Sequence, residues 1–295
     1  MTDKNIKNLA ASVRQRLLNI SRDSGEDFNL VLNRFGLERM LYRLSQSEWR
    51  EQFLLKGAML FSIWHDDPHR PTRDADFLGF VEPEINEITK IFQSLCRLAV
   101  EYDGLIFDPE SVTAEEIREN NAYEGIRIKI KGDLDRANIT VQIDIGFGDV
   151  VTPDPEEIVV PTLLDQASPK LKAYPIYTVV AEKFEAMVKL GMINTRMKDF
   201  YDLWILARKF ELDSQLLMNA IKATFNCRKT EIPTSAPIAF SQEFYDDKKK
   251  NQQWTAFLNK NGINDGMRLS EIIHDLDEFL MPIISSITLD KNVNK

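Results

Sequence analysis

Arg73-Asp74-Ala75-Asp76-Phe77-Leu78 sets two carboxylates two residues apart at the head of an apolar run. In a β-strand, residues i and i+2 point to the same face. Asp74 and Asp76 then project side by side, with Ala75 and Phe77 turned the other way. Like charges that close repel, and one takes up a proton unless a cation cancels them. A divalent metal does this well, because hard ions such as Mg²⁺ take carboxylate oxygens together with substrate phosphates. An Asp-x-Asp pair also occurs in plain solvated turns, so the rest of the chain decides its meaning.

Upstream, Phe53-Leu54-Leu55-Lys56-Gly57-Ala58-Met59-Leu60-Phe61 predicts a short buried strand, a glycine turn and a helix. Gly57 lets the backbone approach a ligand with no Cβ in the way. The helix start behind it would present free N–H groups to a phosphate. The proline-punctuated stretch from Asp66 to Pro71 reads as a loop that delivers the chain into the acidic pair. His65 just before it and His69 within it have no third metal-type side chain at ligand spacing, and Arg73 fits a salt-bridge partner for the aspartates.

Downstream, Ile126-Arg127-Ile128-Lys129-Ile130 and Ile139-Thr140-Val141-Gln142-Ile143-Asp144-Ile145 alternate cleanly. They predict adjacent antiparallel strands joined through Gly132–Arg136. Ile139, Val141, Ile143 and Ile145 share the core face, and Asp144 ends the other face. Burying that carboxylate alone would be costly. Beside the Asp74/Asp76 strand it completes a three-carboxylate cluster of the kind used in two-metal phosphoryl or nucleotidyl transfer.

A connector spaced by Pro153, Pro155, Pro161, Pro169 and Pro175 predicts a domain boundary. The helix from Thr178 carries Lys183 on the edge of an apolar stripe, where it either snorkels or aims its ammonium into a cleft. The helix from Thr195 to Lys209 is apolar nearly all round and therefore buried. It still holds Asp199 and Asp202, which need cationic partners from among Lys183, Arg196 and Lys198.

Helical spacing also covers 5–20, 84–100, 214–225, 252–260 and 268–280. Phe28 to Phe35 reads as a helix stopped by Gly36 and restarted from Leu37 to Leu44. The segment 240–251 reads as a polar loop, and the last dozen residues as frayed.

The 295 residues are 43% hydrophobic and 28% charged, which suits a globular protein. No apolar run reaches the roughly 20 residues of a membrane span, and no signal peptide opens the chain, so a soluble cytoplasmic protein is expected. Cys96 and Cys227 match no redox or zinc spacing and are expected as packed thiols. Net charge is −9, but unevenly spread. Residues 71–169 hold 8 Lys/Arg against 21 Asp/Glu, and residues 170–229 hold 11 against 6. An acidic half suited to metals thus abuts a basic half suited to phosphates.

Taken in order, the motifs are Leu55-Lys56-Gly57-Ala58, Arg73-Asp74-Ala75-Asp76, Gln142-Ile143-Asp144-Ile145-Gly146-Phe147-Gly148-Asp149, Ala181-Glu182-Lys183-Phe184-Glu185-Ala186-Met187-Val188 and Arg196-Met197-Lys198-Asp199-Phe200-Tyr201-Asp202-Leu203. The set resembles the AbiEii/AbiGii toxin family of nucleotidyltransferases, over about residues 50–206. The resemblance implies an α+β fold: a DNA-polymerase-β-like sheet, mixed or antiparallel, with N-terminal helices over 1–50, a nucleotidyltransferase domain over 51–165 and a helical domain over 166–295. It implies Mg²⁺ at a two-metal site, an NTP substrate, and an RNA acceptor, the tRNA 3′ end in characterised relatives. A cognate antitoxin is implied as a partner, and the oligomeric state stays open with a monomer favoured. Carried over, Asp74 and Asp76 bind metal, Lys183 meets the triphosphate, and Asp199 or Asp202 is the aspartate of the last motif; Asp144, assigned from its strand pattern, fits as the third carboxylate. Lys56, Gly57, Ala58 and Arg73 border the nucleotide.

Two departures stand out. Ala58 replaces the second glycine or serine usual in the turn, which removes a hydroxyl for phosphate. Position 74 is an aspartate where some of these toxins have serine. Two other readings stay open: nucleotidylation of a protein hydroxyl, and a non-catalytic, degenerate member.

Overall fold

A computed structural model describes residues 3–64, 72–119, 122–263 and 266–293. His65, His69 and the loop between them lie outside the described residues. The chain divides into two compact units, Met1–Gly148 with Glu156–Ala173, and Asp149–Pro155 with Tyr174–Lys295.

The first unit opens with α1 (Asp3–Ser24) and α2 (Phe28–Ser45). Strand β1 (Phe53–Lys56) runs into a 3₁₀ turn (Gly57–Leu60) and a single-turn helix α3 (Phe61–Trp64). Then come β2 (Asp74–Gly79), α4 (Ile85–Arg97), β3 (Ile106–Glu119), β4 (Ala122–Leu134), β5 (Ala137–Phe147), β6 (Glu156–Val159) and β7 (Lys170–Ala173). The seven strands form one sheet in the order β3-β4-β5-β2-β1-β7-β6. β2 pairs parallel with β5, and β1 with β7; the other pairs are antiparallel. The expected mixed sheet is therefore present. It is wider than the periodicity indicates, since β6 and β7 lie inside the proline-spaced connector and β3 was not anticipated.

The period-2 pattern sets the two faces. Ala75, Phe77, Ile126, Ile128, Ile130, Val141, Ile143 and Ile145 are all at most 1% exposed. Helix α2 lies on that face, and here one expectation is corrected. Gly36 does not stop the helix, which continues to Ser45. A Cβ on Gly36 would stand 2.6 Å from Ile139 Cγ2 and 3.0 Å from Val141 Cγ2. The glycine is there so that the helix can press onto β5.

The β4–β5 hairpin turns on Asp135 and Arg136, both with positive φ (47° and 68°). This two-residue turn fixes the register of every pair behind it.

In the second unit, α5 (Ile176–Leu190) is followed by a 3₁₀ turn (Gly191–Ile193) and α6 (Met197–Lys209). α7 (Ser214–Cys227), α8 (Gln242–Asp246), α9 (Lys248–Asn261) and α10 (Leu269–Val293) complete it. The expected helical C-terminal part is thus present. The segment 240–251 is helical rather than a loop: Ser241 caps α8 by accepting from Phe244 N–H, and Asp247 caps α9 by accepting from Lys250 N–H. The C-terminal stretch likewise continues as helix to Val293. Aromatic packing fills the interior, with Phe184 against Phe225 and Phe240, and Phe200 stacked on Phe244. Among the described residues no helix is long and apolar enough to cross a membrane.

Candidate active site

The polar face of the sheet is organised in rows by strand register. Lys56 on β1 is opposite Asp76 on β2, Asp76 is opposite Asp144 on β5, and Asp144 is opposite Arg127 on β4. Directly opposed residues share a face, so one row across four strands reads cation, carboxylate, carboxylate, cation. The next row places Asp74 opposite Gln142 and Gln142 opposite Lys129. Asp74, Asp76 and Asp144 thus stand on one face of neighbouring strands, as their sequence pattern predicts.

Arg127 is the participant that pattern reading missed. Its Nε and Nη2 donate to the two oxygens of Asp144 at 2.8 and 2.7 Å. Hydrogen bonding to Asp144 raises the Arg127 pKa, burial opposes that, and Asp74 adds a smaller favourable field. Asp144 is therefore not a lone buried charge; a fork of two N–H groups neutralises it. Thr72 Oγ donates to Asp74 Oδ1 at 2.9 Å and orients the other carboxylate. Among the described residues no group of three His, Cys, Asp or Glu side chains is gathered to hold a metal. The donor set is instead a carboxylate pair on one strand. That fits Mg²⁺, which is commonly held by one or two carboxylates plus substrate phosphates.

Gly57 closes against this pair. Its φ is +77°, and a Cβ there would overlap the Asp76 carboxylate. Both constraints demand glycine. The turn behind it is 3₁₀ and leads into a single turn of α-helix from Phe61, so the expected helix follows the glycine turn but is short. Ala58 is half-buried in that turn, and Arg73 is exposed at the bend entering β2.

In the second unit Lys183, Asp199 and Asp202 meet. The Lys183 ammonium donates to Asp199 Oδ1 at 2.7 Å and to Asp202 Oδ2 at 2.8 Å. The aspartates are 1% and 0% exposed. Arg196 Nε donates to the second Asp199 oxygen at 2.6 Å, whereas Lys198 is exposed. Burial pushes the Asp199 carboxyl up, but Lys183 and Arg196 outweigh it and hold the group below the usual range. Burial likewise pushes the Lys183 ammonium down, and its two carboxylates outweigh that and raise it. Two of the three ammonium protons are thus committed to carboxylates.

A second ionic knot in this unit carried no predicted role. Arg228 donates to Asp149 at 2.9 Å and to Glu185 at 2.9 Å, and pairs with Glu182 at 3.2 Å. It ties the stretch after β5 to α5, as does Thr178, whose hydroxyl accepts from Thr152 N–H and donates to Thr152 C=O. Asp149, Glu182 and Glu185 all lie within motifs quoted above, but a distant arginine completes them. Contrary to expectation, Cys227 is exposed rather than packed, while Cys96 is half-buried; the two are not joined in a disulfide.

The family model for the nucleotidyl transferase AbiEii toxin of type IV toxin–antitoxin systems matches residues 39–281. The chain belongs to this family: it is a toxin-side nucleotidyltransferase of the type IV class. No curated protein is similar to it. Among solved structures, JHP933 from Helicobacter pylori is similar at 15% identity, with 86% of this chain and 91% of that one covered and a TM-score of 0.48. A candidate nucleotidyltransferase from H. pylori is similar at 15% identity, with 85% and 92% covered and a TM-score of 0.46.

Proposed function

We propose that the chain uses Mg²⁺ to transfer a nucleotide from an NTP to an RNA acceptor, the 3′ end of tRNA. The observation that carries the reading is the register of β2 on β5, which sets Asp76 beside Asp144 in a chain of nucleotidyltransferase family. Asp74 and Asp76 would hold the metal. Bound Mg²⁺ supplies positive charge to the α-phosphate and to the departing pyrophosphate.

The chain's own residues do the rest. With no Cβ, Gly57 makes room for the Asp76 carboxylate itself, and backbone N–H groups of the turn would take the place of the hydroxyl that Ala58 lacks. Asp144 accepts two N–H bonds from Arg127 and keeps lone pairs over; we assign these to orienting and deprotonating the acceptor hydroxyl. Lys183 offers its third N–H to the triphosphate, and Asp199 and Asp202 fix its direction.

The RNA acceptor is supported by the family resemblance and by the excess of basic residues over 170–229. A polyanion held this way dissociates as salt rises. Lys172 is tied to Glu51 at 2.6 Å and offers less than the exposed Lys170. Incubation with labelled NTPs, Mg²⁺ and total tRNA tests the proposal: label should enter the tRNA 3′ end and vanish with Asp76→Ala. Label appearing in protein instead, and surviving charge reversal at Lys170 and Lys222, would favour a protein hydroxyl as acceptor.

A further inference from the structure

Lys250 is a buried cation that the roles above leave unused. It lies in the first turn of α9 and is only 5% exposed. Its ammonium donates to the backbone carbonyl of Asn194 at 2.7 Å and lies 5.1 Å from the centre of the Phe244 ring. Among the described residues it forms no ion pair. Burying a lysine without a carboxylate is costly. Burial pushes its ammonium below the usual lysine range, with Asp247 opposing and Lys249 adding to the fall. One backbone carbonyl and one ring face are a modest compensation, so the use of this contact must be sought in what it holds.

It holds the turn between α5 and α6. Asn194 is 1% exposed and follows the 3₁₀ turn Gly191–Ile193. Its side-chain oxygen accepts from the Arg196 backbone N–H at 2.8 Å. Arg196 in turn grips Asp199, and Asp199 grips Lys183, at 2.6 and 2.7 Å. The turn has little slack at its other end. Gly191 has φ +47°, and a Cβ there would stand 2.7 Å from Ile238 Cγ2.

We propose that Lys250 is a positioning residue for Lys183: by pinning the Asn194 carbonyl it fixes the α5–α6 turn and so the angle at which Arg196 and Asp199 hold the Lys183 ammonium. The inference rests on the reading that Lys183 meets the triphosphate. Lys250→Met keeps the apolar stem and removes the donor. It should raise KM for the NTP on the order of tenfold with kcat little changed, the signature of lost ground-state binding.

The experiment compares Lys250→Met, Lys250→Arg, Lys183→Gln, Asp199→Asn and the double variant Lys250→Met/Asp199→Asn in the full chain, below their melting transitions. Lys250→Arg should recover most of the KM, and the double variant should be no worse than Asp199→Asn alone. A lowered melting temperature with unchanged KM, or effects that multiply in the double variant, would make Lys250 a stability residue only and overturn the proposal. If Lys250→Met does not fold, Lys250→Gln takes its place and is read in the same way. An unchanged KM in Lys183→Gln would sink the triphosphate reading itself, whereas a raised KM there beside a normal one in Lys250→Met would sink only the positioning role.

Discussion

Asp76 and Asp144 are directly opposed residues of two parallel strands, and each has a cation opposite it on its other side. Lys56 and Arg127 bracket the carboxylate couple. The row thus sets two adjacent carboxylates between two cations, while Asp74 lies in the neighbouring row opposite Gln142. This arrangement also separates the roles. Asp144 is held by its arginine, while Asp74 and Asp76 remain the pair on a single strand.

Gly57→Ala should impair the site more than the fold. A side chain there meets left-handed backbone, which costs roughly 1–2 kcal/mol, and displaces the Asp76 carboxylate. A misplacement of about 1 Å in a catalytic group can cost on the order of 100-fold in rate. The expectation is a melting point a few degrees lower, at about 1–2 kcal/mol, and transfer reduced on the order of 100-fold. Circular dichroism melts alongside the labelled-NTP assay would show both.

The Lys183–Asp199–Asp202 network should act as a pH-bounded stabiliser. Asp199 has a lowered folded pKa, so its contribution is present above the unfolded aspartate value of about 3.9 and is lost as pH falls through the folded value. Lys183 has a raised one, so its contribution is complete below the unfolded lysine value of about 10.4 and is lost as pH rises through the folded value. Lys183→Met strands two buried carboxylates and should cost about 3–5 kcal/mol. Adding Asp202→Asn should return part of that loss. Urea titrations of the single and double variants at neutral pH would measure it.

Gly36→Ala sets helix propensity against packing. Alanine favours a helix interior by about 1 kcal/mol over glycine. Overpacking against Ile139 and Val141 costs about 1–3 kcal/mol. Packing should win, leaving a net destabilisation, whereas a glycine serving as a helix stop would tolerate the change. Thermal melts decide between them.

The two thiols should differ sharply in reactivity. Burial pushes the Cys96 thiol up to about 12, with Arg43 and Arg97 opposing. Cys227 is exposed. At pH 8 a thiol reagent should label Cys227 quickly and Cys96 only on unfolding. Mass spectrometry of the native protein after a short pulse should find a single label at Cys227.

How legible these features are follows from which interactions are local. Alternating isoleucines declare β4 and β5, and an all-round apolar helix with two aspartates declares a buried ion network around Lys183. Arg127 is less legible because its pairing with Asp144 depends on the register of the hairpin. That register is set by Asp135 and Arg136 at positive φ, without the glycine or asparagine that usually marks such a turn. Gly36 misleads because its reason lies on a strand a hundred residues away. Lys250 hides in the run Lys248-Lys249-Lys250, which looks like a solvated charge cluster. Only the Asp247 cap reveals that the run begins a helix and turns its third lysine inward.

The most direct test of metal-assisted transfer at the β2 carboxylates is magnesium titration of labelled-NTP incorporation into total tRNA, wild type beside Asp76→Ala and Asp74→Ala. Incorporation should rise with Mg²⁺ in the wild type, disappear on chelation, and fall at least 100-fold in both variants while their melting curves stay close to wild type. Incorporation that persists in Asp76→Ala, or that ignores chelation, would contradict the account.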